Sequence, residues 1–187
     1  MMKRLILPLT LLLAALPAYG QGFQKAKIRI DLDRLASKAE DVVEVTVEEN
    51  MLRLAAKFLK DNDPEEAAVK ALINGLKGVY VRAYEFDKEG EYSSSDVEGI
   101  RSQLQAPGWT KIVGVTSRRE GMKVEVHTMY EGEKMLGVAI IAAEPKELVV
   151  VNIVGPIDLE KLSQLDGKLG LPRLELRSVT GRRAGRE

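Results

Sequence analysis

One histidine, His127, is the only side chain whose ordinary ionisation falls near neutral pH. A catalytic imidazole needs a nucleophile and an orienting carboxylate within hydrogen-bond reach. A zinc centre needs further histidine or cysteine ligands. The chain has no second histidine, no cysteine and no GxSxG nucleophile elbow. Along Met122–Tyr130, His127 shares a strand face with Lys123, Glu125 and Met129, opposite Val124, Val126, Thr128 and Tyr130. The expectation is a solvated imidazole on a face of mixed polarity.

Other clusters have simpler readings. Asp61, Asp63, Glu65 and Glu66 offer oxygen donors for calcium, but Pro64 and the missing glycine break the spacing of a calcium loop. Helix capping accounts for them, and for Asp31 and Asp33. Gly75-Leu76-Lys77-Gly78 and Gly167-Lys168-Leu169-Gly170 match neither GxxxxGK[ST] nor GxGxxG, so phosphate chemistry has no support. No cofactor or metal is expected.

The best candidate for recognition is the strand face Tyr80, Arg82, Tyr84 and Phe86, because tyrosine and arginine are favoured in protein interfaces. The competing reading places the same aromatics under helices as core. Arg118-Arg119 and the C-terminal arginines, Arg182 and Arg183 among them, suit contact with an acidic partner. Positive charge beside aromatics also suits single-stranded nucleic acid, but overall neutrality and an export leader argue against it.

That leader is residues 1–20. Lys3 and Arg4 precede an apolar run from Leu5 to Leu16, and Ala18-Tyr19-Gly20 supplies small residues before Gln21, the layout of a secretory signal peptide. Removing it with Lys3 and Arg4 leaves 26 basic against 28 acidic side chains, which gives no global attraction to nucleic acid or anionic lipid. Without cysteine the chain has no disulfides and cannot be a cysteine-linked lipoprotein. The expected location is periplasmic or secreted, with no transmembrane segment in the mature form. Residues 21–172 are long enough for one domain with a sizeable core, and 173–187 read as a basic, partly flexible tail.

The elements that must position these residues are organised around Leu136–Val154. Two apolar runs, Leu136–Ala143 and Leu148–Val154, flank the polar turn Glu144-Pro145-Lys146-Glu147. Both are too short to span a membrane as helices, and their valine and isoleucine content predicts paired strands. Strands also read at Asp41–Glu48, Val79–Phe86, Trp109–Arg118 and Met122–Tyr130. In the first, Val43, Val45 and Val47 share one face opposite Glu44, Thr46 and Glu48, the pattern of a half-buried strand. Helices read from Asp31, from Asn50 with Met51, Leu54, Ala55, Phe58 and Leu59 as core stripe, from Pro64 behind the cap Asp63, from a capping box at Ser95 and Glu98, and from Asp158. No connection between Trp109 and Val154 is long enough for a crossover helix, so four strands form an antiparallel meander. The fold class is α+β, a mostly antiparallel sheet with helices packed mainly on one face. Near-solid apolar content in Leu136–Val154 demands cover on both faces, from a helix or from another chain.

The run Val45–Leu52 before a helix, the strand GVYVRAYEF at residues 78–86, Trp109–Val113, and LVVVNIVGPIDLEKL from Leu148 carry a resemblance. Together they make the chain similar to DUF4252, a family of exported bacterial proteins of unknown function, over about residues 27–170. The resemblance implies a small periplasmic or outer-membrane-associated protein. Many members are lipoproteins, a feature this cysteine-free chain lacks. It implies no active-site residues.

The function expected is that of an exported non-catalytic domain acting through a protein contact, with another envelope protein or itself, in envelope maintenance or signalling. Two alternatives stand beside it: a periplasmic carrier of a lipid or small apolar ligand, and a hydrolase using carboxylates alone.

Overall fold

The computed structural model describes residues 21–157. The leader, the helix expected from Asp158, and the tail with Arg182 and Arg183 lie outside the described residues. In chain order the elements are α1 (Gln21–Ala26), α2 (Asp33–Ala36), β1 (Asp41–Glu48), α3 (Glu49–Ala56), α4 (Pro64–Gly75), β2 (Gly78–Glu85), α5 (Ser94–Gln103), β3 (Trp109–Ser117), β4 (Met122–Glu131), β5 (Lys134–Ala143) and β6 (Glu147–Val154).

The six strands form one antiparallel sheet in the order β1-β2-β6-β5-β4-β3. The C-terminal four make the expected meander, and β5 and β6 occupy the centre. β2 pairs with β6 from Gly78↔Val154 to Glu85↔Glu147, joining the N-terminal hairpin to the meander. Tyr92 closes the β5–β6 turn by donating to the carbonyls of Glu144 and Glu147. Burial pushes its phenol up to about 12, so it remains a donor.

One sheet face carries the main core. Tyr84, Leu148, Val150, Ala139 and Ile141 meet Leu32 and Leu35 from the α2 region and Val97, Ile100 and Leu104 from the α5 region. Helices thus pack mainly to one side. A smaller cluster joins Ala26, Tyr80, Met129, Leu136 and Val154.

Several local expectations shift. Ser93, not Ser95, is the N-cap of α5, and Asp96 accepts its backbone N–H at 2.6 Å. Leu32, not Asp31, stands before α2. Asp63 caps α4 as expected, accepting from Glu65 and Glu66, with Pro64 in the first turn. In α3 the expected core stripe faces out: Met51, Leu54, Ala55 and Phe58 are exposed, Phe58 at 80%, while Leu52 and Ala56 are buried. The α3–α4 hairpin connects the edge strand β1 to its neighbour β2, and the buried residues of α3 are Leu52 and Ala56. Gly155 ends β6 at φ +144°, where a Cβ would lie 2.7 Å from the Leu76 Cα, so only glycine fits the turn.

Residues 27–32 have no regular secondary structure, yet they alternate like a strand. Ala26, Ile28 and Leu32 are buried and Ile30 half-buried, while Lys27, Arg29 and Asp31 face solvent. Two side-chain amides satisfy backbone groups that a neighbouring strand would otherwise pair. Asn152 accepts from the Ile28 N–H at 3.0 Å and donates to the Ala26 and Val138 carbonyls at 3.0 and 3.1 Å. Gln103 accepts from the Arg29 N–H at 2.8 Å and donates to its carbonyl at 2.9 Å.

Candidate functional site

Strand pairing puts Tyr80, Arg82 and Tyr84 of β2 on the helix-covered face, in register with Asn152, Val150 and Leu148. Tyr84 and Phe86 are fully enclosed, and Tyr80 is buried. Phe86 stacks between Tyr84 and Tyr92, at centroid distances of 6.5 and 5.2 Å. Tyr84 and Phe86 are core, and Tyr80 is buried apart from the edge that lines a cleft beside α1. Arg82, half-buried, turns back on the sheet: its Nη1 donates to the carbonyls of Val81 at 2.9 Å and Val45 at 3.2 Å. Of the residues first singled out for contact, the described ones are therefore occupied within the fold.

His127 also departs from expectation. It is half-buried, and both ring nitrogens are buried without a hydrogen-bond partner. Burial pushes its pKa down, partly offset by the Glu125 charge. Glu125, with a side chain only 7% exposed, accepts from Arg101 Nε at 2.7 Å and has Lys123 and Lys111 at 3.5 and 3.8 Å. Burial alone would raise this carboxyl; Arg101, then Lys123, hold it below the ordinary glutamate value. Among the described residues neither ring nitrogen is hydrogen-bonded to a nucleophile or an orienting carboxylate. Among the described residues, no group of three or more metal-ligating side chains converges.

A cleft of about 440 Å³ opens between α1, the β1–α3 junction and β2. Its polar lining is internally paired. Glu48 accepts from the Tyr80 hydroxyl at 2.9 Å and from Lys27 at 3.1 Å, which together hold its carboxyl below the usual range. Lys77 meets Glu49 at 2.8 Å. Phe23, Tyr80 and Val154 supply the apolar part of the same lining. A second cleft, about 330 Å³, lies beside Tyr92, Arg101 and Lys123.

The unusual surface is the other face of the sheet. Register assigns to it Val43, Val45 and Val47 of β1, Val79 and Val81 of β2, Val149, Val151 and Ile153 of β6, and Val138 and Ile140 of β5. Val124 and Val126 of β4 and Val113 and Val115 of β3 complete it. None of these side chains is buried, and Val43 is 53% exposed. The valine face of β1 lies on this side, which no element among the described residues covers. Branched aliphatic side chains favour strand backbone, and with Ala83, Ala142, Thr110 and the buried Thr128 they form a broad surface whose interior holds no charged group. Carboxylates occur only at one end, where Asp41, Glu85 and Glu147 stand side by side on β1, β2 and β6. Sequence reasoning detected the excess apolar strand surface. It missed the extent, because only the strand order places all six valine-rich strands side by side.

The family described as Domain of unknown function (DUF4252) matches residues 36–165, most of the chain. No curated protein matches it. No helix among the described residues is long and apolar enough to cross a membrane.

Proposed function

The chain belongs to the DUF4252 family, and we propose that it acts as an exported, non-catalytic contact domain whose binding surface is the uncovered sheet face. One observation carries this reading: a six-stranded face on which none of the valine and isoleucine side chains is buried, with Ala83, Ala142, Thr110 and the buried Thr128 between them. Contiguous apolar surface on this scale marks an interaction site. The sequence features of the leader supply the export half, and the roles consistent with both are envelope maintenance and signalling.

A photoreactive amino acid at Val151, central on that face, tests it in native envelope preparations, with the same group at exposed Lys88 as control. Reproducible protein crosslinks from position 151 and not from 88 support the contact. Equal, diffuse labelling from both positions contradicts it.

A further inference from the structure

The uncovered face has a charge pattern that the isolated chain leaves unexplained. Asp41, Glu85 and Glu147 are direct neighbours in the ladder, at the end of the face where β1 and β6 begin and β2 ends. Like charges directly opposite one another in a sheet are destabilising, and none of the three has a cationic partner among the described residues. Burial, then the charges of Glu144 and Glu85, push the Glu147 carboxyl up. At the same end of the sheet, on its far side, the β3–β4 turn carries Arg118 and Arg119, both exposed and likewise without an ionic partner among the described residues.

We propose that this face pairs with the same face of a second copy of the chain, the two sheets stacked about a twofold axis parallel to their strands. Such an axis, passing between β6 and β5, keeps strand ends together and reverses strand order. It therefore lays β1 and β2 of one copy over β3 and β4 of the other. The acidic row of each copy then meets the arginine turn of its partner, twice, while the uncharged interior meets itself. An axis perpendicular to the strands would bring each acidic row over the opposite end of the partner sheet, away from the arginines.

Size and shape agree. Six strands about 4.8 Å apart and eight residues long at about 3.3 Å each span roughly 700 Å². That is close to the ~800 Å² per partner of a stable interface. A single docked helix, about 10 Å wide, would cover less than half of the width. A surface of short branched side chains suits sheet-on-sheet packing, which keeps strand directions within about 30°. An anionic lipid surface would face the acidic row with the wrong sign. The result is a four-layer αββα assembly with helices outermost.

The inference rests on the contact reading and names its partner. Its test is a charge swap followed by analytical ultracentrifugation of the mature chain. Wild type is expected to be a dimer. Asp41→Lys with Glu85→Lys in one variant, and Arg118→Glu with Arg119→Glu in another, each weaken self-association tenfold or more. Mixing the two variants restores a dimer, because both rims become complementary, and so does a chain carrying all four substitutions. These positions are exposed, and the restored mixture itself reports that both variants fold. A monomeric wild type overturns self-pairing; if position 151 still crosslinks another protein, the contact reading survives. A wild-type dimer insensitive to either swap overturns the stated axis.

Discussion

The carboxamide of Asn152 grips the backbone of Ile28, accepting its N–H at 3.0 Å from the middle of β6. The same side chain donates to the carbonyls of Ala26 and Val138, so one fully buried group ties the N-terminal segment to the two central strands. Asn152→Ala strips a partner from two buried backbone groups and one partly buried one. It is expected to lower unfolding free energy by about 2–4 kcal/mol in urea titration. Asn152→Asp retains the acceptor for Ile28 but, once ionised, sets a carboxylate against two carbonyls. That variant is expected to lose more at neutral pH and to recover in mild acid.

Arg101 and Glu125 make a second buried dependence. Glu125 has its folded-state pKa below the unfolded value, so its contribution is present above about pH 4.5 and lost as pH falls through the folded value. Arg101→Ala leaves the buried carboxylate with Lys123 and Lys111 only. It is expected to cost about 2–4 kcal/mol at pH 7, and to raise the pKa of Glu125 in an NMR titration of its carboxyl carbon.

His127 moves stability in the same direction through a different range. Its folded-state pKa lies below the ordinary 6.5, so the unfolded chain binds the proton more readily. Stability is therefore expected to fall as pH drops below about 6.5, with Glu125 moderating and Lys111 reinforcing the effect. His127→Leu removes that decline, which thermal melts between pH 7 and 5 will show as a flatter profile.

α3 and the turn that follows it differ in what they support. Phe58→Ala is expected to change stability by less than about 0.5 kcal/mol, because the ring stands in solvent. Leu52→Ala, on the buried side within α3, is expected to cost about 2–4 kcal/mol. Denaturant midpoints of the two variants decide between this placement and an inward Met51–Phe58 stripe.

The legible part of the fold was the part governed by neighbours in sequence. Period-two valine runs broken by Glu144–Glu147 and Arg119–Gly121 dictate a meander, and Asp63-Pro64 announces a helix start. The family was legible through those same strands. The direction of α3 was not, since helical spacing identifies a stripe without saying what lies opposite it. Here the richer stripe, Met51, Leu54 and Phe58, points away from the two small contacts that hold the helix. The alternation Ala26, Ile28, Ile30, Leu32 was present in the sequence. Its partner Asn152, however, lies 124 residues from Ile28 and makes no local signal. The contact surface was half legible. Leu148–Val154 shows too much apolar surface for one helical layer, while Val43–Val47 joins it only through the β1-β2-β6 order.

Carbene footprinting of the valine face tests the central claim most directly, with the protein labelled in the cell fraction that contains it and again after dilution as purified chain. Peptides bearing Val43–Val47 and Val149–Ile153 are expected to be shielded in the fraction and labelled strongly once diluted, with Phe58 labelled in both. Equal labelling of the valine face in both preparations would contradict the account.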